Sequence, residues 1–145
     1  MAEVPQNVKD AVAKSIEELV RRGEASEGDL REVADLVMAD QHVVDDLRAA
    51  MHFYDRAVER ARPCTRDGIE ATLHTFAIAT SDIEKANTKG WERLGRQGME
   101  KLPRQKGSVP STLGGTWTAI VTEIEERGTA RILDALANCN CFKGE

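Results

Sequence analysis

The chain of 145 residues has few aromatic side chains, few cysteines and few prolines: six, three and four respectively. Six aromatic residues cannot fill the core of a protein of this length, so leucine, valine, isoleucine and alanine must supply most of it. Apolar residues make up 41% of the chain, which is enough for one ordinary domain. Charged residues make up 31%, which is typical of a helical surface rather than of a disordered chain.

Long apolar runs are also missing. No run approaches the roughly 20 residues that a membrane-spanning helix needs. The first residues lack the basic and apolar blocks of a secretory signal. Three cysteines are an odd number and do not form the disulfide framework of a small secreted domain. We therefore predict a cytoplasmic protein with reduced thiols and no contact with a membrane.

Catalytic motifs are absent from the sequence. There is no G-x-x-x-x-G-K-[ST], no G-x-S-x-G, no H-E-x-x-H and no EF-hand loop. The histidines His42, His52 and His74 lack the Glu-x-x-His spacing of di-iron helical bundles. No catalytic residue is predicted and no resident cofactor is expected, so the sequence favours a protein that is not an enzyme.

What the sequence does contain is helical periodicity, which predicts an all-α fold with no sheet. The expected helices span about 7–22, 27–62, 66–101 and 116–137, with a flexible loop at 103–115 and a C-terminal tail at 138–145. The second helix carries ten consecutive heptad positions, nine of them apolar. These are Leu30, Val33, Val37, Asp40, Val44, Leu47, Met51, Tyr54, Val58 and Ala61.

Asp40 is the exception in this stripe. A buried carboxylate without a partner is costly, so Asp40 is expected to be paired, hydrated or at the end of a helix. One interpretation is a bend in the second helix or an ion pair with a basic side chain. Another is a device that fixes the register or the oligomeric state.

The third helix has a similar stripe, Ile69, Leu73, Phe76, Thr80 and Ile83, followed by a predicted break or kink near Gly90. Pro63 ends the second helix, so helices two and three should form a long antiparallel hairpin within a four-helix bundle. The first helix is too short to cover these stripes. We therefore predict that two chains pair through helices two and three. The interface residues expected are Leu47, Met51, Tyr54, Phe76 and Ile83.

Charge is unevenly distributed along the chain. Residues 1–62 carry a net charge of −5, whereas residues 85–106 carry +5. In one interpretation this basic stretch docks against an acidic partner helix or simply faces solvent. In the other it binds an acidic partner or a phosphate-bearing ligand. The overall negative charge and the scarcity of aromatic residues argue against nucleic acid. The candidate basic patch consists of Lys89, Arg93, Arg96, Lys101, Arg104 and Lys106.

The C-terminal tail contains a C-x-C pair, Cys139 and Cys141. Two thiolates at this spacing can share a soft metal such as zinc or copper, and Cys64 would add a third ligand if the fold brought it close. The alternatives are two thiols without a function, or a tail that a partner enzyme modifies.

Taken together, these features predict a non-enzymatic helical interaction protein, an adaptor, regulatory or assembly subunit that binds another protein and self-associates. The alternatives are a thiol-based metal-binding or redox protein, and a substrate protein whose cysteine-containing tail is modified.

Overall fold

The computed structural model describes residues 3–101 and 109–138, with the backbone alone at 96–101 and 109–113. Over these residues the chain forms five helices and no strand. They are α1 (Gln6–Arg21), α2 (Glu27–Met38), α3 (Gln41–Ala61), α4 (Arg66–Lys101) and α5 (Val109–Ala137). The all-α prediction is confirmed, whereas the prediction of four helices was wrong.

The extra helix arises at Asp40, where the predicted second helix divides into α2 and α3. Asp40 is the N-cap of α3, and its side chain accepts a hydrogen bond of 2.9 Å from the backbone N–H of His42. A carboxylate at this position satisfies a donor that has no partner within the helix. The expectation that Asp40 lies at a helix end is therefore confirmed, and its assignment to a buried heptad position was wrong.

The end of α1 and the start of α2 follow from the local sequence. Gly23 has a φ of 74° and ends α1, where the N–H groups of Gly23 and Glu24 donate to the carbonyls of Val20 and Leu19. This is the Schellman arrangement, which favours glycine because of its left-handed backbone. Ser26 caps α2 by accepting a hydrogen bond from the N–H of Asp29.

Two predicted features of the second half of the chain were wrong. Helix α4 runs through Gly90, so the predicted break does not occur there, whereas the alternative of a kink stays a prediction. Helix α5 begins at Val109, inside the predicted loop of 103–115. Residues 102–108 and 139–145 lie outside the described residues.

The most extensive packing is between α3 and α4, which form the antiparallel hairpin, and α2 is not part of it. Helix α5 packs against both. Helices α1 and α2 also pack against α5, and α2 contacts α4 as well as α3. The core lies between these layers and is mainly aliphatic. Its largest fully buried side chains include Trp117, Tyr54, Leu19, Leu30, Leu47, Leu94 and Ile120.

Candidate interaction surface

The register of α4 against α5 is fixed by three side-chain hydrogen bonds near one end of the pair. Trp117 donates from its indole N–H to the carbonyl of Ala86 at 3.3 Å. Thr118 donates to Oδ1 of Asn87 at 2.9 Å and accepts a hydrogen bond from the indole of Trp91 at 2.7 Å. Glu84 in turn acts electrostatically on Glu125, further along α5. Earlier residues of α4 therefore meet later residues of α5, so the two helices are antiparallel.

Two glycines allow α4 and α5 to approach closely. A methyl group at Gly90 would overlap the indole of Trp117, and a methyl group at Gly114 would overlap the ring of Trp91. The tryptophan of each helix thus packs against a glycine of the other helix. Trp117 is fully buried in this arrangement, whereas Trp91 remains 39% exposed.

A third glycine receives the ring of Tyr54 from α3. A methyl group at Gly128 would lie 2.6 Å from this ring. The hydroxyl of Tyr54 is buried near Thr80 without a well-aligned hydrogen bond. Burial raises the pKa of Tyr54 to about 12, and the negative charge of Glu125 adds to the rise. Tyr54 therefore stays neutral at physiological pH, and its ring packs between α3 and α5.

On the side of α4 and α5 opposite to α3, the side chains of two leucines are exposed to solvent. Leu73 is 57% exposed and Leu133 is 58% exposed. From the Asn87–Thr118 contact, Leu73 lies 14 residues back along α4 and Leu133 lies 15 residues forward along α5. At about 1.5 Å per residue these displacements agree to within roughly 2 Å, so both leucines lie at one level of the pair. At about 100° per residue both side chains also turn towards the same side of the pair.

Other residues lie on the same side of the helix pair, further along each helix. Glu84 and Trp91 follow Leu73 by 11 and 18 residues, close to three and five whole turns. On α5, Glu126 precedes Leu133 by seven residues, about two turns. Glu125 lies beside Glu126, partly buried towards the seam between the helices. We call this side the outer face and define it by Leu73, Glu84, Trp91, Glu125, Glu126 and Leu133.

The carboxylates of the outer face have no cation. Among the described residues, Glu84, Glu125 and Glu126 make no ion pair and no hydrogen bond. Partial burial raises the pKa of Glu125, and the negative charges of Glu84 and Glu126 raise it further. The outer face is therefore apolar at its ends and acidic in its middle.

Charges on the inner side of the same helices are paired. Glu123, only 7% exposed at its side chain, lies 2.6 Å from a guanidinium nitrogen of Arg22 on α1. The hydrogen bond to Glu123 raises the pKa of Arg22. Three cations of α4 and α5 also reach α1 or α3, through the contacts Lys89–Asp46, Arg131–Asp55 and Arg127 to the carbonyl of Lys14.

The predicted interface residues lie inside the single chain or at its inner seams. Leu47, Tyr54 and Ile83 are buried in the core, and Met51 and Phe76 are partly buried against it. The assignment of Leu47, Tyr54 and Ile83 to a surface that pairs two chains was wrong, because the folding of one chain already covers them. Whether the protein self-associates stays a prediction.

The predicted basic patch is only partly described, and its described members face inwards. Lys89 lies 2.7 Å from Oδ2 of Asp46, which raises the pKa of Lys89. Arg93 donates to the carbonyl of Leu36 at 3.3 Å. These contacts fit the interpretation that the stretch docks against an acidic helix. Arg104 and Lys106, like the side chains of Arg96 and Lys101, lie outside the described residues.

Cys64 is disulfide-bonded in the turn between α3 and α4, where it has a φ of 59°. The prediction that all thiols are reduced was therefore wrong, and in this state Cys64 supplies no thiolate to a metal. Cys139 and Cys141 lie outside the described residues. Asn138 and Arg62 line one cleft of about 430 Å³, so the end of α5 lies beside this turn.

A second concave feature lies between α1, α3 and α5. This cleft of about 250 Å³ has a floor that includes Met51, Tyr54 and Gly128, and Lys14 and Arg131 at its rim. Its size admits one small side chain or a small ligand. Arg131 is already engaged with Asp55, so the cleft carries fewer available charged groups than the outer face.

Comparison of the chain with known proteins finds no matching protein family, curated protein or solved structure. Within residues 3–101 and 109–138, no helix is long and apolar enough to cross a membrane. Over the same residues, no group of three or more histidine, cysteine, aspartate or glutamate side chains is placed to hold a metal ion.

The outer face was missed by sequence reasoning, because the period of the predicted third helix groups Leu73 with buried and partly buried residues. One signal does exist in the sequence. Glu84, Glu125 and Glu126 have no lysine or arginine three or four residues away on either side, the spacing at which helical side chains pair.

Proposed function

We propose that this chain is a non-enzymatic helical interaction protein, an adaptor, regulatory or assembly subunit that binds another protein through the outer face. The observation that carries the proposal is the pair Leu73 and Leu133, each more than half exposed at one level and on one side of α4 and α5. Apolar side chains grouped on the surface of a soluble fold are characteristic of protein-binding sites. Trp91 adds an aromatic side chain of the type enriched in such interfaces.

Site-specific photo-crosslinking in the cells that make the protein tests this proposal. A benzophenone amino acid replaces Ala77, which is exposed one helical turn after Leu73. The matched control replaces Ala13, which is exposed on α1. We expect a discrete crosslinked protein from position 77 but not from position 13, and its loss in the Leu73→Ser/Leu133→Ser background. Equal crosslinking at both positions, or none at position 77, would overturn the proposal.

A thiol-based redox role is the second candidate, because Cys64 is disulfide-bonded. With three cysteines in the chain, one free thiol is expected before reduction and three after it. Thiol titration of unfolded protein measures both numbers. A redox role further requires that Cys139→Ser/Cys141→Ser abolish a response to oxidant, and an unchanged response in this variant would exclude it.

A further inference from the structure

The middle of the outer face carries three carboxylates that form no ion pair with any of the residues that the structure describes. Glu84 comes from α4, and Glu125 and Glu126 come from α5, so two helices contribute to one cluster. Lys89, Arg127 and Arg131 belong to the same two helices but make their contacts with α1 and α3. The face therefore concentrates one sign of charge although cations lie nearby in the sequence.

This charge distribution favours a cationic partner over a negatively charged one. A second copy of the chain that docked by the same face across a two-fold axis would bring one acidic middle against another. Nucleic acids and anionic membranes would be repelled in the same way. A cationic partner would gain both charge complementarity and the burial of the leucines.

The spacing of the face indicates the shape of the partner. Leu73 and Leu133 lie at one end, the carboxylates in the middle and Trp91 at the other end. Leu73 and Trp91 are 18 residues apart, which is about 27 Å along α4. A helix of about 18 residues has the same length and would lie along the shallow groove between two antiparallel helices.

We propose that the outer face binds a basic amphipathic helix of a different protein, with apolar residues on Leu73 and Leu133 at one end and on Trp91 at the other, and lysine or arginine between them. This inference rests on the proposed function and names the chemistry of the partner. Apolar contacts provide most of the affinity, and the carboxylates select the sign of charge and the register.

The test uses two synthetic helical peptides of about 20 residues with one shared leucine pattern. One has lysine at the polar positions and the other has glutamate. Isothermal titration calorimetry with the full-length protein should show binding of one lysine peptide per chain and no binding of the glutamate peptide. Equal binding of the two peptides, or no binding of either, would overturn the inference.

Variants then locate the binding. The triple variant Glu84→Gln/Glu125→Gln/Glu126→Gln should bind the lysine peptide at least about tenfold more weakly than the wild type. The control variant Glu17→Gln/Glu32→Gln/Asp35→Asn makes the same change in net charge at exposed positions of α1 and α2, and should alter affinity less than about twofold at 0.15 M salt. Equal weakening in the two variants would show attraction to net charge alone and would overturn the inference.

Substitution of the two leucines distinguishes a failure of this inference from a failure of the proposed function. If Leu73→Ser/Leu133→Ser abolishes crosslinking at position 77 while the triple glutamine variant crosslinks as the wild type does, the face binds a protein whose charge is not recognised. The proposed function then stands and the inference fails. If crosslinking at position 77 is absent from the outset, the proposed function fails with it.

Discussion

The inner and outer sides of α4 and α5 differ although the same two helices form both. On the inner side, glycines make room for aromatic rings and cations meet carboxylates. On the outer side, leucines face water, and three carboxylates have no cation among the side chains that the structure describes. Helix α5 shows the contrast within four residues, since Glu123 is buried against Arg22 whereas Glu126 is exposed and unpaired. The inner side stabilises the fold, and the outer side is the surface through which we propose that the chain binds a partner.

The largest expected difference is between truncating a buried leucine of α3, packed under the inner side, and truncating an exposed leucine of the outer side. Leu47 is fully buried, so Leu47→Ala should lower the free energy of unfolding by about 2–5 kcal/mol through lost apolar contacts and a cavity. Leu73→Ala should change it by less than about 0.5 kcal/mol, because Leu73 is mostly exposed. Urea unfolding followed by circular dichroism measures both values. Similar losses in the two variants would show that Leu73 is covered in solution.

The second prediction concerns the glycine contacts. A methyl group at Gly90 overlaps the indole of Trp117. Gly90→Ala should therefore lower the free energy of unfolding by about 1–3 kcal/mol through overpacking, although alanine has the better helix propensity. Gly95 lies in the same helix with no neighbouring atom within 4 Å of an added methyl group. Gly95→Ala should therefore stabilise the protein by up to about 1 kcal/mol. The same urea experiment compares them, and the prediction fails if the two substitutions have the same sign.

The third prediction tests the paired charges of the inner side. Arg22→Met leaves the carboxylate of Glu123 buried without its cation. We expect the free energy of unfolding to fall by about 1–2 kcal/mol. This is less than the cost of breaking a fully buried pair, because the side chain of Arg22 is 37% exposed. Arg131→Met removes an ion pair whose two side chains, including Asp55, are more than half exposed. That control should change stability by less than about 0.5 kcal/mol. Thermal unfolding at pH 7 distinguishes the outcomes.

The smallest effect belongs to the unpaired charges of the outer face. The pKa of Glu125 is raised above its ordinary value by burial and by Glu84 and Glu126, while Tyr54, which faces it from α3, is neutral. An acid with a raised pKa in the folded state favours folding while it is protonated, and this contribution is lost as the pH rises through the folded-state pKa. Glu125→Gln should therefore raise the melting temperature by about 1 °C at pH 7.

The difference between Glu125→Gln and the wild type should disappear below about pH 4, where both side chains are uncharged. Glu32→Gln, at an exposed position of α2, is the control and should leave the melting temperature at pH 7 nearly unchanged. A lower melting temperature for Glu125→Gln at pH 7 would mean that a cation does pair with Glu125.

Much of the fold follows from local patterns in the sequence. Gly23, Ser26 and Pro63 mark helix ends where such residues are expected, and the period of apolar residues identifies most of the core. Counting heptads did not reveal the division at Asp40. A carboxylate interrupts an apolar stripe in the same way whether it is buried, paired or capping a new helix.

The glycines and the outer face were harder to predict for the same physical reason. Helix propensity marks Gly90 as a weak point, but the tertiary contact with Trp117 outweighs a preference of about 1 kcal/mol. The period of α4 groups Leu73 with Ile83, yet only Ile83 is buried. Periodicity shows which residues share a side of one helix, and it does not show where the neighbouring helices end.

The different surroundings of Trp117 and Trp91 give the protein two optical reporters without any label. The indole of Trp117 is enclosed and should emit at short wavelength, unaffected by iodide until the fold opens. The indole of Trp91 lies at the edge of the outer face, so iodide should quench its emission in the folded protein. A ligand on that face would protect Trp91 from iodide, whereas unfolding would expose both indoles. A single quenching titration can therefore separate binding from loss of structure.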